Sequence, residues 1–192
     1  MRKILFSLLV IGLASTAAFA DGELPKLLTP FDKVRLDQFD ATSAAALAEA
    51  RAGATPQDVA VLDAALAGTP LPLAAGYDPT GAWKCRTIKV GGDPQLTVYP
   101  WFACRISDDG AGWRLEKLTG SQRTTGRFYT LSDTRLAYLG AGHVIGEAPR
   151  NYGQDARENQ VAVVERRGKG KLVLLFPAPQ YESKLDILVM ER

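Results

Sequence analysis

From residue 81 onward apolar and polar side chains alternate with a period of two, whereas upstream the apolar positions recur every three or four residues. The shorter period marks half-buried strands and the longer one amphipathic helices. Eight alternating runs stand near residues 82–90, 98–107, 112–119, 123–131, 134–141, 160–167, 171–176 and 184–191, divided by turn-forming segments such as GGDP, SDDGAG, TGSQ, LSDT and RGKG. Most of these connections are short, which predicts an antiparallel meander. The stretch around GEAPRNYGQDAREN is the exception and predicts a lid or surface loop. Eight hairpin-linked strands can close into an up-and-down barrel, which has no exposed edges, or form a strongly curled open sheet covered by the helices.

The helical part spans residues 29–66. TPFDKVRLD and TPQDVAVLD share the pattern T-P-x-D-x-x-x-L-D. In each, Thr29 or Thr55 can cap, Pro30 or Pro56 fills the first helical position, and Asp32 or Asp58 favours the helix start. The repeat therefore reads as capping chemistry. Leu36, Phe39, Ser43, Leu47 and Ala50 fall on one stripe of a first helix, and Val59, Leu62 and Leu66 on one stripe of a second, with Gly53 and Gly68 as stops. Both stripes are too narrow to form a core alone, so this helical hairpin should lie against the strands. The fold class predicted is α+β, with a hairpin at 21–68, a proline-rich linker at 69–80 and the strand domain at 81–192.

The first residues change where the protein is expected to act. Arg2 and Lys3, an apolar run from Ile4, and the small-x-small triplet Ala18-Phe19-Ala20 read as a secretory signal over 1–20, with the mature chain beginning at Asp21. Periplasmic or secreted localisation follows, without stable membrane insertion after cleavage. The chain carries 23 Lys and Arg against 21 Asp and Glu, and the signal holds two of the basic residues, so the mature chain is close to neutral and nucleic acid is not an expected partner. Residues 21–80 hold nine acidic and four basic side chains and residues 81–192 twelve and seventeen, an imbalance that would let the two parts dock.

Export also decides how Cys85 and Cys104 are read. Eighteen residues separate them, which is no C-x-x-C motif, and with the single His143 no zinc set is evident. Alternation places Trp83, Cys85 and Thr87 on one face of the first strand and Phe102, Cys104 and Ile106 on one face of the second. A meander makes those strands neighbours, so a disulfide on the core face is expected. The competing reading is a reactive thiol pair favoured by Lys84 and Arg86.

Catalytic motifs are absent from the sequence: it has no nucleophile elbow, phosphate loop or H-E-x-x-H, and no cofactor or metal is expected. His143 reads as a solvated histidine at a loop edge, and Asp108-Asp109 as turn chemistry. Two polar rims are candidate ligand sites. Glu116, Lys117, Ser121, Gln122 and Arg123 surround one hairpin turn, and Tyr181, Glu182 and Lys184 another.

Gly81-Ala82-Trp83, at the start of the first strand, resembles the Gly-x-Trp signature of calycin barrels, which include lipocalins and bacterial metalloprotease inhibitors. The inhibitor branch implies a small exported barrel with one disulfide and an amino-terminal segment that acts on the protease. CRTIKVGG, YPWFACRISDDGAGWRLEKLTGSQRTTGRFY and FPAPQYESKLDILVMER resemble an exported bacterial domain-of-unknown-function family (DUF4893-like), which implies a compartment but no mechanism. The expected function is non-catalytic binding of a small molecule in the barrel mouth or of an envelope protein. A proteinaceous hydrolase inhibitor is the runner-up and an enzyme the third reading.

Overall fold

A computed structural model describes residues 24–73 and 76–192; the expected signal segment lies outside the described residues. Eight strands follow one another as β1 (Gly81–Val90), β2 (Leu96–Asp108), β3 (Trp113–Lys117), β4 (Gln122–Thr130), β5 (Arg135–Val144), β6 (Asn159–Gly168), β7 (Lys171–Pro177) and β8 (Leu185–Glu191). Each pairs antiparallel with the next, and β1 pairs with β8 from Lys84↔Glu191 to Val90↔Leu185. That last ladder closes the barrel and removes the open-sheet alternative. Register slips between Arg86 and Ile88 and between Arg166 and Gly168 add the local twist that closure needs. Up-and-down order sends the β1–β2, β3–β4, β5–β6 and β7–β8 connections to one end, called the mouth below.

Alternation divides the apolar residues into two layers. Inward positions fill the barrel with Trp83, Leu115, Phe128, Tyr138, Leu174, Phe176 and Met190 around the disulfide. Cys85 and Cys104 are bonded, with Cα atoms 5.8 Å apart. They sit diagonally, since Cys85 opposes Phe102 and Cys104 opposes Trp83. Lys84 and Arg86 face outward onto Trp101, 5.3 and 4.5 Å from its ring centre, so they do not serve the sulfurs. Fully buried Tyr138 obtains its space from two glycines: a Cβ on Gly140 would lie 2.3 Å from its Oη, and one on Gly126 2.6 Å from its Cζ.

The outer layer, including Ile88, Val90, Val163, Val173, Leu175, Ile187 and Val189, is covered by helices. These are α1 (Leu24–Leu27), α2 (Pro30–Asp37), α3 (Phe39–Gly53) and α4 (Pro56–Leu66). Thr29 and Thr55 cap as the repeated pattern predicts, each accepting from the backbone N–H of the aspartate three residues on. The first expected helix, however, is two, broken at Gln38 with φ −94° and ψ 7°. Its buried faces explain the break. α3 buries Phe39, Ser43, Ala46 and Ala50 against the sheet, whereas α2 buries the charged Asp32 and Arg35.

Asp32 thus does more than favour a helix start. Its carboxylate accepts from Arg35 Nη1 at 2.9 Å, Thr29 Oγ1 at 2.7 Å, Tyr152 Oη at 2.6 Å and Asn159 Nδ2 at 3.2 Å. Arg35 Nε donates to the Pro177 carbonyl at 3.0 Å. Such full hydrogen bonding offsets the desolvation cost of a buried ion pair and fixes α2 at the mouth end of β6 and β7. The opposite charges of the two parts meet in the Lys184–Glu49 pair and, at 3.9 Å, in Arg135–Asp40. Most of the docking is apolar.

Candidate functional site

Inward positions change character with height in the barrel. Along β1 they run Trp83, Cys85, Thr87, Lys89; along β3, Trp113, Leu115, Lys117; along β4, Phe128, Gly126, Thr124, Gln122. On β8 the corresponding series is Met190, Leu188, Asp186, and on β6 Val164, Ala162, Gln160. In every series the apolar member lies deep and the polar member near the mouth. Buried side chains pack the lower barrel, because eight strands leave an interior only just wide enough to be filled.

A mouth cleft of about 260 Å³ is lined by Lys89, Arg123, His143, Arg157, Glu158 and Glu182 among others. Beneath it a smaller pocket of about 70 Å³ is lined by Thr87, Lys89, Lys117, Arg123, Thr124 and Asp186 among others. Lys89, Gln122, Arg123, Gln160, Phe176 and Asp186 belong to both, so the two are continuous. At the floor, Thr124 Oγ1 donates to Gln160 Oε1 at 2.5 Å, which leaves the Tyr138 hydroxyl, 2.6 Å away, to donate to Thr124. Burial pushes the Tyr138 phenol well above its ordinary range, so it acts here as a neutral donor.

Lys117 is the most unusual group. Only 8 % exposed, its Nζ donates to the Gln122 carbonyl at 2.7 Å and lies 4.3 Å from the Phe102 ring centre. Burial, followed by the positive charges of Lys89 and Arg123, pushes its amine down to about 8. Lys89 is drawn down by burial too, yet its pairing with Glu182 and the charge of Asp186 hold it above the ordinary value. Asp186 is pushed up by burial against the opposing hydrogen bond from Ser183 Oγ at 2.6 Å. Around the inner pocket Lys89, Lys117 and Arg123 therefore stand beside one lining carboxylate, Asp186, with Glu182 above it paired to Lys89, which leaves Lys117 and Arg123 as the surplus of positive charge. Small anions and hydrogen-bonding groups suit that surplus.

Of the expected rim residues, the fold brings Lys117, Gln122, Arg123, Tyr181 and Glu182 to this one cleft, because the β3–β4 and β7–β8 turns share the mouth. Glu116, Ser121 and Lys184 do not line it. Glu116 faces outward beside Arg114 at 3.7 Å, Ser121 is exposed in the turn, and Lys184 reaches Glu49. Glu182 has φ 71°, a left-handed conformation that non-glycine residues rarely adopt, and it hangs over Lys89. Asp108 and Asp109 sit at the opposite end, accepting from Gly110 and Ala111 N–H groups as turn chemistry predicts.

His143 departs from its expected place. It belongs to β5 opposite Arg123, is 7 % exposed, and its Nδ1 has no partner within the described residues. Burial, then Arg123, lowers its pKa, which favours the neutral imidazole at pH 7. Lys89, Asp186 and Gln160 were not singled out in the sequence. The signal that finds them is the switch from apolar to polar at the mouth-side end of each inward series.

A family model described as a domain of unknown function (DUF4893) matches residues 26–190. No curated protein and no solved structure matches the chain.

Proposed function

The chain belongs to the DUF4893 family, and from that premise and the mouth geometry we propose that it is a non-catalytic binding module for a small anionic ligand. The observation that carries this reading is the inner pocket itself: Lys89, Lys117 and Arg123 surround it, and among the described residues no carboxylate pairs with Lys117. A buried ammonium without a counter-ion is costly, and an anion bound beside it removes that cost. The filled lower barrel favours a polar ligand held at the mouth over an apolar cargo held inside. We place the protein in the periplasm or outside the cell; the Cys85–Cys104 bond supports an oxidising compartment.

Acetate and inorganic phosphate are the probes, titrated by calorimetry and by chemical shifts of the mouth residues. Binding should raise the Lys117 pKa, so affinity should fall as pH rises through 8. Lys117→Met should weaken binding at least about tenfold, roughly 1.4 kcal/mol. Absence of binding by either probe, or an unchanged affinity in the variant, would refute the reading. A protein partner is the second reading, favoured by exposed Leu27, Phe31 and Val34 on α1 and α2. Native mass spectrometry of protein taken from its own compartment separates the two by what remains bound.

A further inference from the structure

Lys117 combines features that an anion anchor alone does not require. Its amine is enclosed and packed on the Phe102 ring, yet it borders a pocket that opens through shared walls to the mouth cleft. Desolvation together with neighbouring cations is how an amine becomes nucleophilic near neutral pH. The groups that face it are Lys89 on β1, Arg123 on β4 and Asp186 on β8. Phe102 on β2, Gln160 on β6 and Phe176 on β7 complete the surroundings without charge.

We propose that Lys117 forms a reversible imine with a small carbonyl compound that also bears a carboxylate, an oxo acid, held in the inner pocket. The proposal rests on the anion-binding reading, with Arg123 and Lys89 holding the carboxylate while the carbonyl carbon meets Nζ. The lone pair of the neutral amine forms the C–N bond as the carbonyl π pair moves to oxygen. A proton passes from nitrogen to that oxygen, and the resulting carbinolamine loses water to leave the C=N bond. Net, one amine and one carbonyl give one imine and one water, with no change of oxidation state. Asp186, whose carboxyl is pushed up by burial and accepts from Ser183 Oγ, lines the same pocket.

The test uses the full disulfide-bonded protein, glyoxylate as probe, and cyanoborohydride to reduce the imine, with the adducts located by peptide mapping. Lys117 should be modified at pH 7 at least about tenfold faster than exposed Lys33, since its amine, pushed down to about 8, is neutral in about a tenth of the molecules there. Its rate should level off above pH 8. Acetate should slow the reaction. Lys117→Arg should lose the adduct while Lys33 is still modified. Modification of Lys117 no faster than Lys33, with acetate binding intact, overturns the imine and spares the binding site. Loss of both overturns both readings, and rapid modification without acetate binding overturns the oxo-acid class.

Discussion

The lower and upper halves of the barrel interior are made by the same strands with the same alternation, yet they solve opposite problems. Below, Trp83, Phe128, Tyr138, Met190 and the disulfide exclude water, and the polar phenol of Tyr138 is met by Thr124. Above, Lys89, Lys117, Arg123 and Asp186 enclose a cleft, and Lys117 and Asp186 are both shifted towards their neutral forms. A barrel of this girth is filled wherever its inward side chains are large and apolar. Binding capacity is then confined to the rim, where inward positions turn polar before the strands end. Rigid packing beneath holds the mouth groups at fixed spacing, as a preorganised site requires.

If the lower half is the source of stability, its largest single contributor should be Tyr138. Tyr138→Ala is expected to destabilise by about 4 kcal/mol, read as a lower urea midpoint, because the ring packs against Phe128 and Phe176 and no side chain can refill the space. A loss below about 1 kcal/mol would mean that the deep half can collapse, and the contrast with the mouth would weaken.

Next in size is the cross-link. Replacing both Cys85 and Cys104 by alanine should cost roughly 3 kcal/mol through the denatured chain, while the folded fraction keeps its acetate affinity. Altered affinity in the folded fraction would show that the deep half also sets the geometry of the mouth.

The mouth should behave in the reverse sense. Lys117 holds its proton less tightly in the native protein, at about 8, than in the unfolded chain, near 10.5. Between those values the unfolded chain binds a proton that the native protein does not, so stability rises with pH across that window. Below pH 8 the buried charge exerts its full penalty, about 2 to 3 kcal/mol. Lys117→Met should therefore be more stable than the parent at pH 7, with the difference shrinking towards pH 10, as followed by denaturant unfolding at each pH. A variant less stable than the parent at pH 7 would place Lys117 with the structural half.

Much of the fold is legible in the chain. The alternating run expected at 82–90 is β1, Gly81–Val90, and the run at 171–176 is β7, Lys171–Pro177, because turn residues bound both. Shared sidedness with aromatic neighbours also foretold the disulfide. The helical stripe misled at Gln38, since periodicity alone could not show that the buried face changes from Asp32 and Arg35 to Phe39 and Ala46. Two turns were recognised as polar, but their convergence was not legible. Lys89 and Asp186 become opposite neighbours only through the β1–β8 ladder, which joins the two ends of the strand domain.

By itself, the sequence determined what is local: the two periods, the capped helix starts, the turns, and which side chains share a face of each strand. These depend on neighbours a few residues apart, where backbone geometry leaves little choice. Tertiary structure alone decided that the sheet closes, that four connections crowd one end, that Asp32 and Arg35 are buried, and that Lys117 meets two other cations there. Those outcomes depend on long-range register and on desolvation, which a residue acquires only from chain far away in sequence.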